Sequence, residues 1–187
     1  MVRLSVELRR GVDNQAIPAT LLRLTSKHVE DFAMRWQLLL EEASEEDKYW
    51  DWHFKQRISQ TRDNYEVYAV ECEGVTQGLM AIETQQHHSQ FFAGRPLVYV
   101  ERISAAPWNR RRVQSPPQFR TVGRTLLQYS RARSLELGYA GCVGLHSLSA
   151  AESFYEHLNM MRLDPDPDEL IDADDVPLVY FEYPPRP

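Results

Sequence analysis

The chain has 187 residues, of which 43% are hydrophobic and 26% are charged, and its net charge is −6 at neutral pH. This length suits one packed domain or two very small ones, and the composition excludes a disordered, collagen-like or low-complexity protein. No window approaches the ~20 apolar residues of a membrane span, so we expect no membrane partner. Cys72 and Cys142 lack metal-binding spacing, and the reducing cytoplasm is the default location.

Charges are segregated along the sequence. Nine arginines and one acid between Arg95 and Arg133 give a local charge of +8. Eight acids and two bases between Glu30 and Asp51 give −6, and residues 164–175 hold seven acids and no base. The basic segment favours an anionic ligand, for which phosphate is the simplest candidate. Charges that only face solvent are the alternative, and that is the simpler interpretation of the acidic segments.

The first half of the sequence predicts strands, two helices and a β-hairpin. Alternating apolar and polar residues are typical of half-buried strands, whereas apolar residues every three or four positions indicate a helix. In chain order we expect a strand over 2–8, a strand over 20–24, a helix ending near Ala43, a helix from Ser44, and strands over 66–72 and 77–83 around a turn at Glu73-Gly74. Thr25 or Ser26 is the expected N-cap of the first helix, and Asp47 gives the second an approximate capping box.

The second half alternates strands with helices. In chain order we expect a strand over 97–105, a polar loop over 110–118, a helix over 122–137, a buried strand over 140–145, a short helix over 149–158 and a strand over 176–183. Gly138 and Asn159 close the two helices in left-handed conformations, and Ser149 with Glu152 forms a capping box. Because no linker or repeat interrupts this order, residues 1–187 are predicted to form a single mixed α/β domain.

The passage from the strand at 97–105 to the helix at 122 is the first feature that indicates chemistry. Amide groups in the first turn of a helix have no intrahelical partner, and the helix dipole favours negative charge there. Gly123 permits close approach to the backbone, while Arg120 and Arg124 add positive charge. The passage therefore predicts an anion site, although a helix that follows a loop with one glycine is common.

A second motif follows at Ala151-x-x-Phe154-Tyr155-x-x-Leu158-Asn159-Met160. Together with Glu101-Arg-Ile-Ser-Ala-Ala-Pro107 and Gln118-x-x-Thr121-x-Gly123, it makes residues 97–160 resemble the acetyl-CoA-binding core of the GCN5-related N-acetyltransferase (GNAT) superfamily. The order of elements over residues 19–183 is also similar. The resemblance implies an α+β fold with a mixed, mostly antiparallel twisted sheet that has helices on both faces.

The sequence departs from the superfamily pattern at three places. Thr121 replaces the first glycine of the phosphate loop, so a Cβ atom crowds the expected pyrophosphate position. The loop before Gln118 is long and holds Arg110-Arg111-Arg112, which either reaches the 3′-phosphate of the coenzyme or is a mobile segment. Leu148 replaces an asparagine, so that a side-chain hydrogen bond to the pantetheine must come from elsewhere, and Ser147 and Ser149 are the candidates.

The resemblance implies a set of coenzyme-binding residues. The backbone of Ile103 and Ala105 would pair with the pantetheine amides, and the amides of 120–124 would hold the pyrophosphate. The full expected set for acetyl-CoA, which is the co-substrate, is Ile103, Ser104, Ala105, Gln118, Arg120, Thr121, Val122, Gly123, Arg124 and Ser147. We expect no metal, since His53 and His87-His88 lack ligand spacing.

Two residues are expected to carry catalysis by this resemblance. Glu101 occupies the place of a base that deprotonates the amine directly or through water, and Tyr155 matches the general acid near the coenzyme sulfur. The amide of Ala105 is the expected oxyanion donor. A structural ion pair of Glu101 and a core position of Tyr155 are the alternatives, and Glu83 is a second candidate base.

Helices over 26–60 would form the wall of the acceptor site. Trp50, Phe54 and Glu83 are the candidate substrate-binding residues, and aromatic rings among acids suit a cationic amine. The sequence thus predicts an acetyl-CoA-dependent N-acetyltransferase that transfers the acetyl group directly to a primary amine of a small molecule or peptide. A non-catalytic CoA-binding module and a toxin-type aminoacyl-tRNA acetyltransferase are alternatives, but acidic acceptor helices disfavour a nucleic acid. Phe91-Phe92 or the first strand are candidates for a homodimer interface.

Overall fold

A computed structural model describes residues 2–165 and 178–186. The strands are β1 (Arg3–Arg9), β2 (Ala16–Arg23), β3 (Tyr65–Cys72), β4 (Val75–Glu83), β5 (Val98–Ala105), β6 (Val143–Ser147), β7 (Met161–Leu163) and β8 (Val179–Tyr183). The helices are α1 (Ser26–Asp31), α2 (Gln37–Glu42), α3 (Trp52–Thr61), α4 (Val122–Glu136) and α5 (Glu152–His157). A π-helical turn over Phe32–Trp36 joins α1 to α2. Within the described residues, no helix is long and apolar enough to cross a membrane.

The strands form a mixed sheet, as predicted. Their hydrogen-bonding order is β1-β2-β3-β4-β5-β6-β8-β7. β1, β2 and β3 are antiparallel neighbours, as are β6, β8 and β7, whereas β5 and β6 are parallel. The chain divides into two compact units, of which the first comprises Met1–Ala81 and Arg102–Gln128 and the second comprises Ile82–Glu101 and Tyr129–Pro187. The single domain over residues 1–187 stays a prediction.

The first unit has helices on both faces of its strands, as the resemblance implied. Trp36 and Trp52, from the helical segment before β3, join one buried cluster with Leu79 of β4. Gly78 precedes Leu79 and therefore belongs to the opposite face of β4, because successive residues of a strand alternate between its two faces. A Cβ atom at Gly78 would lie only 2.5 Å from Val122 Cγ1, so α4 packs tightly on this second face.

The second unit is built around β6 and β8. Tyr155 of α5 is buried against Phe181, with 5.4 Å between the ring centroids. Glu182 is fully buried and accepts hydrogen bonds from Ser89 Oγ at 2.5 Å and from Tyr180 Oη at 2.8 Å. Burial and the nearby Glu182 carboxylate raise the pKa of Tyr180, which keeps its hydroxyl protonated as a donor. This carboxylate is thereby supplied with donors, as a buried charge requires.

The second helix of the sequence prediction was placed wrongly. Ser44 adopts a left-handed conformation, with φ of 54°, which ends the preceding helix instead of starting a new one. α3 begins at Trp52, and its N-cap is Asp51, whose carboxylate accepts from the Phe54 amide at 2.8 Å. Thr25, by contrast, is confirmed as the N-cap of α1.

Two boundaries near α5 were also wrong. The strand expected over 140–145 begins only at Val143, because Ala140 and Gly141 have φ values of 56° and 78°. Ser149 does not cap α5, since a 3₁₀ turn over Ser149–Ala151 precedes it. β7 was not predicted at all. The acidic segment 164–175, apart from its first two residues, and the start of the strand expected over 176–183 lie outside the described residues.

Candidate active site

The predicted phosphate loop, residues 118–124, lies in the first unit and leads into α4. The first helical hydrogen bond joins the Thr125 amide to the Thr121 carbonyl at 2.9 Å. The amides of Val122, Gly123 and Arg124 therefore belong to the first turn, where the helix offers them no acceptor and its dipole is positive. Arg124 is exposed beside them. These residues form the N-terminus of α4, a helix of fifteen residues. Their role as an anion site stays a prediction.

The other half of the loop differs from the prediction, because its main chain is already hydrogen-bonded. The Arg120 amide, expected to bind pyrophosphate, donates to the Arg9 carbonyl at 2.9 Å. The Gln118 amide donates to the Trp108 carbonyl at 2.8 Å, and the Gln118 carbonyl accepts from the Gly11 amide at 2.8 Å. The backbone of Gln118 and the amide of Arg120 hold the loop in place, which leaves the first turn of α4 for a ligand.

The strand expected to bind the pantetheine, β5, pairs with its parallel neighbour over a short stretch. Val98 and Tyr99 are opposite Val143 and Gly144 of β6, yet β5 continues to Ala105. A strand edge that continues beyond its pairing partner can accept an extended ligand as an added strand. Ile103 is half-buried on this part of β5. Its predicted role as a backbone partner of the pantetheine stays a prediction.

Ser104 and Ala105 have partners within the first unit that the sequence did not indicate. The Ser104 hydroxyl is buried and donates to Asp47 Oδ2 at 2.6 Å. The Ala105 carbonyl accepts from Arg110 Nε at 2.9 Å. The Ser104 hydroxyl therefore already has an acceptor within the protein, and the Ala105 carbonyl already has one donor. The roles of both residues toward the coenzyme stay predictions.

Arg110 is the centre of a buried charged cluster. Its guanidinium donates to Glu45 Oε2 at 2.7 Å and to both oxygens of Asp47, at 2.8 and 2.6 Å. Burial by itself would lower the pKa of Arg110, but the hydrogen bonds and negative charges of Asp47 and Glu45 outweigh burial and raise it. Arg110 is therefore a structural cation and is not the mobile or 3′-phosphate-binding residue expected from the sequence. Arg111 and Arg112 are exposed.

The same cluster changes the interpretation of the acidic acceptor helices. Glu45 and Asp47 are buried and both are paired with Arg110, so they present no open negative surface to an amine. The Arg102 guanidinium lies over the Trp50 ring, with 5.1 Å between Arg102 Cζ and the ring centroid. Phe54, in contrast, is 46% exposed on α3. Of the two predicted aromatic acceptor residues, only Phe54 presents a largely exposed ring.

The expected catalytic residues belong to the second unit. Glu101 is half-buried on β5, and Tyr155 is buried on α5. Glu83, the second candidate base, has its Oε2 atom 3.1 Å from His87 Nε2. The Ser147 hydroxyl is buried and donates to the Leu148 carbonyl at 2.8 Å, so its predicted donation to the pantetheine is not supported.

A pair of residues that the sequence analysis did not assign lies on β5 and β6. The Tyr99 hydroxyl and His146 Nδ1 are 2.8 Å apart, and the His87 ring stacks on Tyr99 with a centroid distance of 4.2 Å. This arrangement can relay a proton between a phenol and an imidazole. Strand alternation could have indicated this pair. Tyr99 lies on the same face of β5 as Glu101 and is opposite Gly144 of the parallel strand β6. His146 lies two residues after Gly144, and therefore on the same face of β6.

Solved structures of acetyltransferases share this fold. A histone acetyltransferase HPA2 and related acetyltransferase from Corynebacterium glutamicum is 17% identical, with a TM-score of 0.54 over 89% of this chain and 96% of that one. Naa50 from Arabidopsis thaliana, solved with the bisubstrate analogue CoA-Ac-MVNAL, is 14% identical, with a TM-score of 0.56 over 89% and 98%. The PaiA N-acetyltransferase from Thermoplasma acidophilum, solved with coenzyme A, is 12% identical, with a TM-score of 0.55 over 88% and 99%.

At sequence level, no protein-family model and no curated protein matches the chain. The structural likeness, at these low identities, concerns the fold. The chain has the fold of the GCN5-related N-acetyltransferases, as its motifs predicted.

Proposed function

We propose that the protein is an acetyl-CoA-dependent N-acetyltransferase that acts on a primary amine of a small molecule or peptide. The observation that carries the proposal is the passage from β5 into α4, which presents first-turn amides beside Arg124 in a fold shared with acetyltransferases solved with coenzyme A or a CoA-containing analogue. A diphosphate with its negative charges suits such a helix N-terminus. The coenzyme would be held by Val122, Gly123 and Arg124, with the edge of β5 near Ile103 for its pantetheine.

The proposed reaction transfers the acetyl group directly from the thioester to the amine. The amine nitrogen, after loss of a proton, attacks the thioester carbonyl carbon, so that a C–N bond forms and the C–S bond breaks. Glu101 accepts the ammonium proton directly or through water, and Tyr155 donates its hydroxyl proton to the leaving thiolate. The Ala105 amide stabilises the oxyanion. The Tyr99–His146 pair is a second route for the ammonium proton, because the two groups are 2.8 Å apart and Tyr99 lies two residues from Glu101 on β5.

The acceptor is proposed to be an amine because of Phe54 and the exposed acids of the helical segment, Glu41 and Glu42. Burial of Glu45 and Asp47 makes the negative charge on this side smaller than the sequence count. A small or peptidic amine therefore fits the proposal better than a highly charged polyamine. Two peptide and protein acetyltransferases, Naa50 and a ribosomal-protein-S18-alanine N-acetyltransferase, share the fold and support a peptide amine as the first acceptor to test.

The test is an assay of thiol release from acetyl-CoA in the presence of a panel of primary amines and peptides. Turnover that requires both acetyl-CoA and an amine supports the proposal, and mass spectrometry should find an acetyl group on the amine nitrogen. Glu101→Gln and Tyr155→Phe should each lower kcat by about 10²- to 10⁴-fold. Binding of acetyl-CoA with no turnover on any amine would favour the non-catalytic CoA-binding module. Turnover only with aminoacyl-tRNA would favour the toxin-type alternative.

A further inference from the structure

The end of β1 is hydrogen-bonded to the phosphate loop, although more than one hundred residues separate them in sequence. The Arg9 carbonyl accepts from the Arg120 amide at 2.9 Å, and the Arg9 amide donates to Thr121 Oγ1 at 3.1 Å. At Gln118, the residue before Phe119, the carbonyl accepts from the Gly11 amide at 2.8 Å. The Arg120 guanidinium also donates to the Gly11 carbonyl.

This contact is closely packed. A Cβ atom at Gly11 would lie 1.6 Å from the Pro117 carbonyl oxygen, so that only glycine allows the two backbones to come this close. Leu8 and Phe119, which directly precede Arg9 and Arg120 in the sequence, are both buried. Residues 9–11 are therefore a fixed support of the loop.

Thr121 joins this support to α4. Its hydroxyl accepts from the Arg9 amide, and its carbonyl accepts the first helical hydrogen bond, from the Thr125 amide at 2.9 Å. The orientation of the first-turn amides of α4 is thereby tied to β1 through one residue. Thr121 stands where the superfamily pattern has glycine, and its side chain supplies an acceptor that glycine lacks.

Arg9 also brings charge to this end of the first unit. Its guanidinium is exposed, and its described contact is a long one, 3.4 Å from Nη1 to the Asn14 carbonyl. The Arg9 backbone is bonded to Arg120 and Thr121, two and one residues before α4, and Arg124 is exposed in the first turn of that helix. An arginine held here by its own main chain can donate charged hydrogen bonds to phosphate oxygens.

We infer that the end of β1 is part of the coenzyme-phosphate site, with Thr121 as a positioning residue for the first-turn amides of α4 and Arg9 as a further phosphate-binding residue. The inference rests on the proposed function, because it assumes that the phosphate groups of CoA bind at α4. It adds to that function a strand that precedes the phosphate loop, residues 118–124, by more than one hundred positions.

The test compares affinities for CoA and for pantetheine, which lacks the phosphate groups, by calorimetric titration. Arg9→Gln should weaken CoA binding about three- to tenfold, as expected for loss of a charged hydrogen bond at an exposed site, and the loss should shrink at high salt. Arg3→Gln is the matched control, since Arg3 is an exposed arginine at the other end of β1. Thr121→Val should weaken CoA binding, whereas Thr121→Ser, which keeps the hydroxyl, should bind CoA like the wild type. Pantetheine affinity should be unchanged in every variant.

The outcomes separate the inference from the function on which it rests. If the wild type binds CoA, but Arg9→Gln matches Arg3→Gln and Thr121→Val matches Thr121→Ser, the inference is wrong and the proposed function stands. Equal weakening of CoA and pantetheine would also overturn it, because that would indicate a general loss of structure. If the wild type binds no CoA, both the inference and the proposed function are wrong.

Discussion

Replacement of Arg110 is the sharpest test of the buried charged cluster. Arg110→Met keeps much of the side-chain volume but removes the positive charge that pairs with both Glu45 and Asp47, whose side chains are only 9% and 6% exposed. Removing one partner of a buried ion pair costs about 3–5 kcal/mol, because the remaining charge is left without compensation. For a chain of this size that loss lowers Tm by roughly 6–20 °C.

The assay is thermal unfolding followed by tryptophan fluorescence. Arg111→Met is the matched control, since Arg111 is the exposed neighbour in the same loop and its replacement should change the free energy of unfolding by less than about 0.5 kcal/mol. The triple variant Arg110→Met, Glu45→Gln, Asp47→Asn removes the stranded charges and should recover at least half of the lost stability. Equal Tm values for the two single variants would refute the buried cluster.

Three further predictions concern acid stability, a glycine and the general acid. Burial would raise the pKa of Asp31, but hydrogen bonds from Thr76 and Lys27 outweigh burial and lower it. The ionised Asp31 carboxylate therefore stabilises the folded state above pH ~4, and this stabilisation is lost as pH falls through the folded-state pKa. In urea titrations between pH 2 and 7, the free energy of unfolding should fall more steeply with decreasing pH in the wild type than in Asp31→Asn. Gly144→Ala places a Cβ atom 2.2 Å from Tyr180 Oη and should cost about 1–3 kcal/mol in urea unfolding, and wild-type stability would contradict that packing. Tyr155→Phe should lower kcat and leave the Kd for acetyl-CoA unchanged, so a large change in Kd would assign Tyr155 to binding instead.

The parts of the fold that could be predicted depend on local patterns. Alternation over Arg3–Arg9 and helical spacing after Thr25 gave β1 and the first helix, and the coenzyme motif gave the passage from β5 to α4. Each of these signals lies within about twenty-five neighbouring residues. Propensity and periodicity act at that range, which is why they succeed there.

The parts that could not be predicted depend on contacts between distant segments or on single backbone angles. Nothing in the sequence near Arg110 indicates that Asp47, sixty-three residues earlier, is its partner. The support of Thr121 by Arg9 spans one hundred and twelve residues. The left-handed conformation of Ser44 is unusual for a non-glycine residue, so a helix was expected where the chain turns.

For the candidate site, the sequence predicted where residues lie along the helices and strands, but not which of their polar groups already have hydrogen-bond partners within the protein. Gly123 and Arg124 lie in the first turn of a long helix, as the sequence predicted. Ser104, Ser147 and the Arg120 amide have internal hydrogen-bond partners instead. Small polar groups near a motif satisfy one another whenever folding brings them within reach, and a one-dimensional pattern does not record those distances.

The central claim is that acetyl-CoA binds at the N-terminus of α4, and calorimetric titration of the protein with acetyl-CoA tests it most directly. We predict micromolar binding that weakens several-fold in Arg124→Ala, while Arg57→Ala, an exposed arginine of α3, leaves the affinity unchanged. Absence of binding at millimolar acetyl-CoA would contradict the claim and would mean that Thr121 has closed the phosphate loop. Binding that is insensitive to Arg124→Ala would place the coenzyme elsewhere.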